Sequence, residues 1–130
     1  MNIIYSCLDD NGTNIEKEFE GHKVLFVHGY EALRDILLLS TEENPIADLI
    51  LADHLISGNN DFPISTFHLL TLFQESFIRG FGVFIPKGCG YTPFSVTSAS
   101  KSICYVSDCW LPDGRRGLQK LFLKVVAGFE

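Results

Sequence analysis

Three carboxylates carry the first chemical suggestion in this chain. Asp9 and Asp10 follow the apolar run "NIIYSCL", and Asp53 closes the run "ADLILAD", with His54 directly after it. Carboxylates brought close together repel one another unless a proton or a cation relieves them. An oxygen-rich acidic cluster suits Mg²⁺, which takes one or two carboxylates and keeps several waters. Asp9, Asp10 and Asp53 are therefore candidate Mg²⁺ ligands, and Asp53 is a candidate nucleophile. His28 and His54 are candidate acids or bases beside them. A plainer reading stands next to this one. Acidic residues at strand ends cap the following helix, whose N-terminus favours negative charge.

The elements that must position these groups alternate. Strand-like runs are "NIIYSCL", "HKVLFVHG", "ADLILAD", "FGVFIP" and "SICYVSDCW". Between them, "NIEKEFE" allows a turn or two of helix, and "YEALRDILLLS" is helical with no Gly or Pro inside. Ser65 or Thr66 can cap a helix running to about Arg79. The last segment has the clearest period: Leu118, Leu121, Phe122, Val125, Val126 and Phe129 form one apolar stripe. Pro112 and Asp113 suit the start of that helix.

Strands alternating with helices predict an α/β domain over residues 1–130. It would have three layers: a mostly parallel five-stranded sheet with helices on both faces. The first helix is expected to be short. The fourth is doubtful, because "KGCGYTPFSVTSAS" is rich in Gly, Ser, Thr and Pro. If that stretch instead forms a hairpin with strand five, part of the sheet becomes antiparallel. Ligands of such sheets bind beyond the carboxyl ends of the strands. That edge would collect Asp9, Asp10, His28, Asp53, His54, Lys87 and Ser107 or Asp108.

Bulk properties narrow the function classes. Ten basic against 16 acidic residues leave a net charge of −6, which argues against nonspecific nucleic-acid binding. No apolar run reaches the roughly 20 residues a membrane helix needs, and the N-terminus has no leader pattern, so a cytoplasmic protein without membrane contact is expected. The four cysteines form no C-x-x-C pair and are expected to be free thiols. There is no Gly-rich phosphate loop and no G-x-S-x-G.

These residues resemble the response-regulator receiver domain, a flavodoxin-like module. "DD" after strand one is similar to that family's acidic Mg²⁺ pair, "HGYEALRDIL" to its segment after strand two, and "DLILADHLISG" to the strand that ends in the phosphoacceptor Asp. The resemblance spans the whole chain and implies Asp53 as phosphoacceptor with Mg²⁺ at Asp9, Asp10 and Asp53. Two features depart from it. Strand four ends in "FIPKG" without the family's Ser or Thr. "YVSDCWLP" lacks the family's Lys at the end of strand five and offers Asp108 instead. Lys87, on the neighbouring strand end, could replace the missing cation.

The expectation is therefore a degenerate receiver-like domain. It would act as a non-catalytic regulatory or interaction module with a protein partner, or with a second copy as a homodimer. Tyr91, Phe94 and Trp110 could anchor such contacts or pack beneath their loops. Two alternatives keep the acidic edge active: a Mg²⁺-dependent phosphoacceptor using Asp53, and a small metal-dependent hydrolase or phosphotransferase. An open acidic pocket would favour these alternatives. A pocket filled by Phe84, Trp110 or a loop would favour the interaction module.

Overall fold

Residues 1–7, 21–58, 62–86, 92–98 and 101–129 are described by a computed structural model of the chain. Along the chain run β1 (Asn2–Ser6), β2 (Lys23–Phe26), α1 (Tyr30–Leu39), β3 (Leu49–Asp53), β4 (Leu55–Ser57) and β5 (Pro63–Ser65). A 3-10 turn at Thr66–Leu69 leads into α2 (Leu70–Glu75), followed by β6 (Gly80–Phe84), β7 (Phe94–Ser98), β8 (Lys101–Val106) and α3 (Leu118–Ala127).

The main sheet has the order β2-β1-β3-β6-β8-β7. Its first five members are parallel, and β7 is antiparallel to β8. The parallel strands, renumbered among themselves, follow the doubly wound order 2-1-3-4-5. The α/β class and the mostly parallel sheet agree with the sequence reading, but the strand count does not. Among the described residues six strands form the main sheet, and β4 and β5 make a separate antiparallel pair. The stretch where a fourth helix was doubtful contains β7, whose Phe-Ser-Val-Thr-Ser run has the β-branched and aromatic character of a strand.

Period-two alternation separates two cores. Ile4, Ile50, Ala52, Phe81, Val83, Ile103 and Tyr105 point to the face covered by Leu33 and Leu37 of α1 and Phe73 of α2. Ile3, Tyr5, Leu49, Leu51, Phe84, Cys104 and Val106 point to the face covered by Leu118, Leu121, Phe122 and Val125 of α3. The terminal stripe thus packs as its period predicts. Gly82 lets it come close: a Cβ there would stand 2.8 Å from Val125 and 2.9 Å from Leu121.

Two helix boundaries differ from expectation. The helix expected to reach Arg79 stops at Glu75, because the Ser76 hydroxyl donates to the Phe73 carbonyl at 2.8 Å and the backbone turns extended. Pro112 and Asp113 do not start α3. They lie in a tight reversal in which Trp110 bridges Arg116, Leu111 N–H donates to Arg115 O, and Gly114 takes a φ of 87°. The short helix expected within Ile15–Phe19 lies outside the described residues.

Candidate functional site

Asp53 is the last residue of β3, opposite Phe84 of β6 in the register. Alternation with Leu49 and Leu51 turns its side chain toward the α3 face. There it meets Arg116, carried back to the sheet edge by the reversal at Trp110–Arg116. Arg116 Nε donates to Asp53 Oδ1 at 3.0 Å, and Nη2 donates to Oδ2 at 2.8 Å. This is the two-pronged geometry that a planar guanidinium forms with a carboxylate. The side chains are only 22% and 6% exposed, so the pair sits largely out of water.

Aromatic rings close the site. The Arg116 guanidinium lies 4.8 Å from the Trp110 ring centroid, and that ring packs against Phe84 at 5.7 Å. Trp110 Nε1 donates to Ile85 O at 3.1 Å, which ties the reversal to the end of β6. Gly117 N–H donates to Cys109 O at 2.9 Å and closes the base of the reversal. One short loop therefore fastens the carboxyl ends of β3, β6 and β8 together.

The electrostatics follow from this packing. Burial by itself lowers the Arg116 pKa, but the hydrogen bonds and charge of Asp53 outweigh it and raise the net value. Tyr5 is pushed far above the usual phenol range, first by burial and then by the negative charge of Asp53. His54 is held below its ordinary value, first by burial and then by the Arg116 charge. Its backbone serves the scaffold as well: His54 N–H donates to Phe84 O, and Thr66 N–H donates to His54 O.

The sequence-predicted site residues do not all gather here. Asp53 and His54 stand at the expected edge. Asp108 is occupied elsewhere, accepting from Lys124 Nζ at 3.0 Å on an exposed surface; its pKa is lowered chiefly by that hydrogen bond. The cation beside Asp53 is Arg116. Asp9, Asp10 and Lys87 lie outside the described residues, as does Tyr91. Among the described residues no three His, Cys, Asp or Glu side chains converge on one point.

The Arg116 charge weighs against Mg²⁺ at Asp53. Both of its oxygens accept from a partly buried guanidinium, and a divalent cation there would face that positive charge at close range. The arrangement works as an ionic fastener.

Arg116 escaped the sequence reading. Its signal was "PDGRRG": a Pro-Asp-Gly turn that reverses the chain and returns one of two arginines to the sheet edge. Trp110 and Phe94 prove to be packed. Phe94 stacks on Tyr105 with centroids 4.8 Å apart and the planes 10° from parallel.

Comparison with known proteins gives no match: no family model, curated protein or solved structure is significantly similar to the chain. Among the described residues no helix is long and apolar enough to cross a membrane.

Proposed function

We propose that this chain is a non-catalytic regulatory or protein-interaction module of degenerate receiver-like build. One observation carries the reading. The carboxylate in the phosphoacceptor position, Asp53, is bound at both oxygens by Arg116 and roofed by Trp110 and Phe84. A fastener of this kind ties the edge down and sets a positive charge against both oxygens, which disfavours their attack on a phosphoryl group. The doubly wound order of the parallel strands supports a flavodoxin-like ancestry. β7, standing where a fourth helix would be, removes the surface through which a receiver reports its state.

A module of this kind works through contact. Phe62 and Phe67, which flank β5, are 71% and 55% exposed, and aromatics left on a surface are favoured anchors for a protein partner. A second copy is the alternative partner.

The competing reading is a Mg²⁺-dependent phosphoacceptor in which Arg116 supplies the cation that "YVSDCWLP" lacks. NMR amide shifts decide between the two. Millimolar Mg²⁺ followed by beryllofluoride, with Asp53→Asn as control, is expected to leave the amides of Asp53, His54 and Phe84 unmoved. Saturable shifts at these residues that disappear in Asp53→Asn would establish the phosphoacceptor and overturn the interaction module.

A further inference from the structure

At the opposite edge of the sheet, Lys101 opens β8 and reaches under the end of α2. Its Nζ donates to Phe73 O at 2.6 Å, Ser76 O at 2.5 Å and Ile78 O at 3.1 Å, with Ser76 Oγ at 3.4 Å. The same nitrogen stands 4.5 Å from the centroid of the Phe73 ring. All four oxygens are neutral. Three are carbonyls of a helix end and of the turn after it, where the helix dipole is negative, and the fourth is the Ser76 hydroxyl.

This cage holds itself together without the lysine. Ser76 N–H and Ser76 Oγ both donate to Phe73 O, and Ile78 N–H donates to Ser76 Oγ at 3.3 Å. Arg79 and Gly80 N–H groups donate to Asp48 O and pin the next residues to the sheet. The Phe73 ring is fully buried and lies edge-on to Phe81 at 5.3 Å. Oxygens and ring are therefore positioned by contacts that do not include the lysine, whose side chain can be trimmed without removing any of them. Its side chain is half-buried, so trimming it opens a path from solvent.

We propose that the turn closing α2 is a monovalent-cation site of the primary-ammonium class, which the protein fills with its own Lys101. Three neutral carbonyls match the three N–H donors of a primary ammonium, and the ring face attracts its charge. A hard divalent ion needs anionic oxygens to give up its water. The side chain acts as a tethered ligand that positions the end of α2 against β8.

Thermal unfolding of Lys101→Ala tests this. The variant is expected to melt about 5–10 °C below the parent. Propylammonium chloride, which replaces the missing stem and head, restores at least half of that loss with a saturable dose response. Sodium chloride at equal ionic strength does not. Lys101→Met, whose side chain fills the stem channel without a charge, shows the same loss and no recovery. Equal recovery in both salts, or equal recovery of the Met variant, would overturn the site. Should the Ala variant not fold, the parent protein answers. A caged ammonium shows slowly exchanging Nζ protons at neutral pH with through-bond coupling to the Phe73 and Ser76 carbonyl carbons. Nζ protons that exchange as fast as those of the other lysines would exclude the cage.

Discussion

Arg116 and Lys101 each bring a positive charge into the protein, at opposite edges of one sheet. Arg116 meets a full negative charge beyond the carboxyl end of β3, and Lys101, at the amino end of β8, meets only dipoles and a ring. The side chains suit their settings. A planar guanidinium presents a fork that matches two carboxylate oxygens, whereas an ammonium is a point charge that a cage of carbonyls can surround. The consequences differ too. Asp53 depends on Arg116, and without it would be a stranded charge. The cage around Lys101 is built by α2 and its turn, and needs only some cation of the right size.

The largest effect should come from splitting the ion pair. Arg116→Ala leaves Asp53, 4% exposed, without its counter-charge and is expected to cost about 3–5 kcal/mol in urea unfolding. Asp53→Ala should cost less, because the more exposed Arg116 can turn toward water. The double variant Asp53→Leu with Arg116→Met is expected to lie within about 1 kcal/mol of the parent, since a well-packed apolar pair often replaces a buried ion pair without loss. Additive losses in the double variant would show that the two charges are not coupled.

Emptying the cage comes next. Lys101→Met takes one donor from each of three carbonyls and should cost about 2 kcal/mol. Lys101→Arg tests whether shape or charge matters there. A guanidinium keeps the charge but brings a planar fork, and it is expected to recover less than half of that loss. Full recovery would mean that the cage does not distinguish a fork from a point charge.

The exposed pair of Asp108 and Lys124 provides a control with the same chemistry in water. Its side chains are 64% and 42% exposed, so Lys124→Ala should cost under about 0.5 kcal/mol and nothing measurable in 1 M salt. Asp108 has a folded pKa lowered below the ordinary 3.8, chiefly by the Lys124 hydrogen bond. Its small contribution is therefore present above that value and fades as the pH falls through the folded pKa. A loss as large as that of Arg116→Ala would erase the distinction between buried and exposed pairs.

The smallest effect concerns His54. Its folded pKa lies below the ordinary 6.5, first through burial and then through Arg116. The unfolded chain thus takes up the proton first, and stability falls as the pH drops below 6.5 toward the folded value. Arg116→Met should raise the His54 pKa part of the way back in an NMR titration, because burial remains. An unchanged titration would mean that the Arg116 charge is not felt at His54.

Several features were legible along the chain because they depend on local patterning. Unbroken apolar runs marked β1, β3 and β6 as strands covered on both faces, and the stripe from Leu118 placed α3. Asp53 could be placed at the carboxyl end of a strand by the same reasoning, and the sheet order puts that strand in the middle. The end of α2 was not legible, because the Ser76 hydroxyl competes for the Phe73 carbonyl and no period reports that competition. β7 was legible only as an alternative, a hairpin with the fifth strand in a stretch poor in helix formers, and its antiparallel pairing with β8 agrees with that alternative.

The sequence by itself determined the α/β class, the strand that ends in Asp53 and the amphipathic terminal helix, since these follow from periodicity and composition. Only the tertiary structure decided what Asp53 pairs with. Its partner is 63 residues away, and the reversal at Trp110–Arg116 has to form before Arg116 rather than Arg115 faces the sheet. The same holds for Lys101, whose three carbonyl partners lie 23 to 28 residues earlier in the chain. Charges and dipoles act through space, and their distances exist only once the strands are paired.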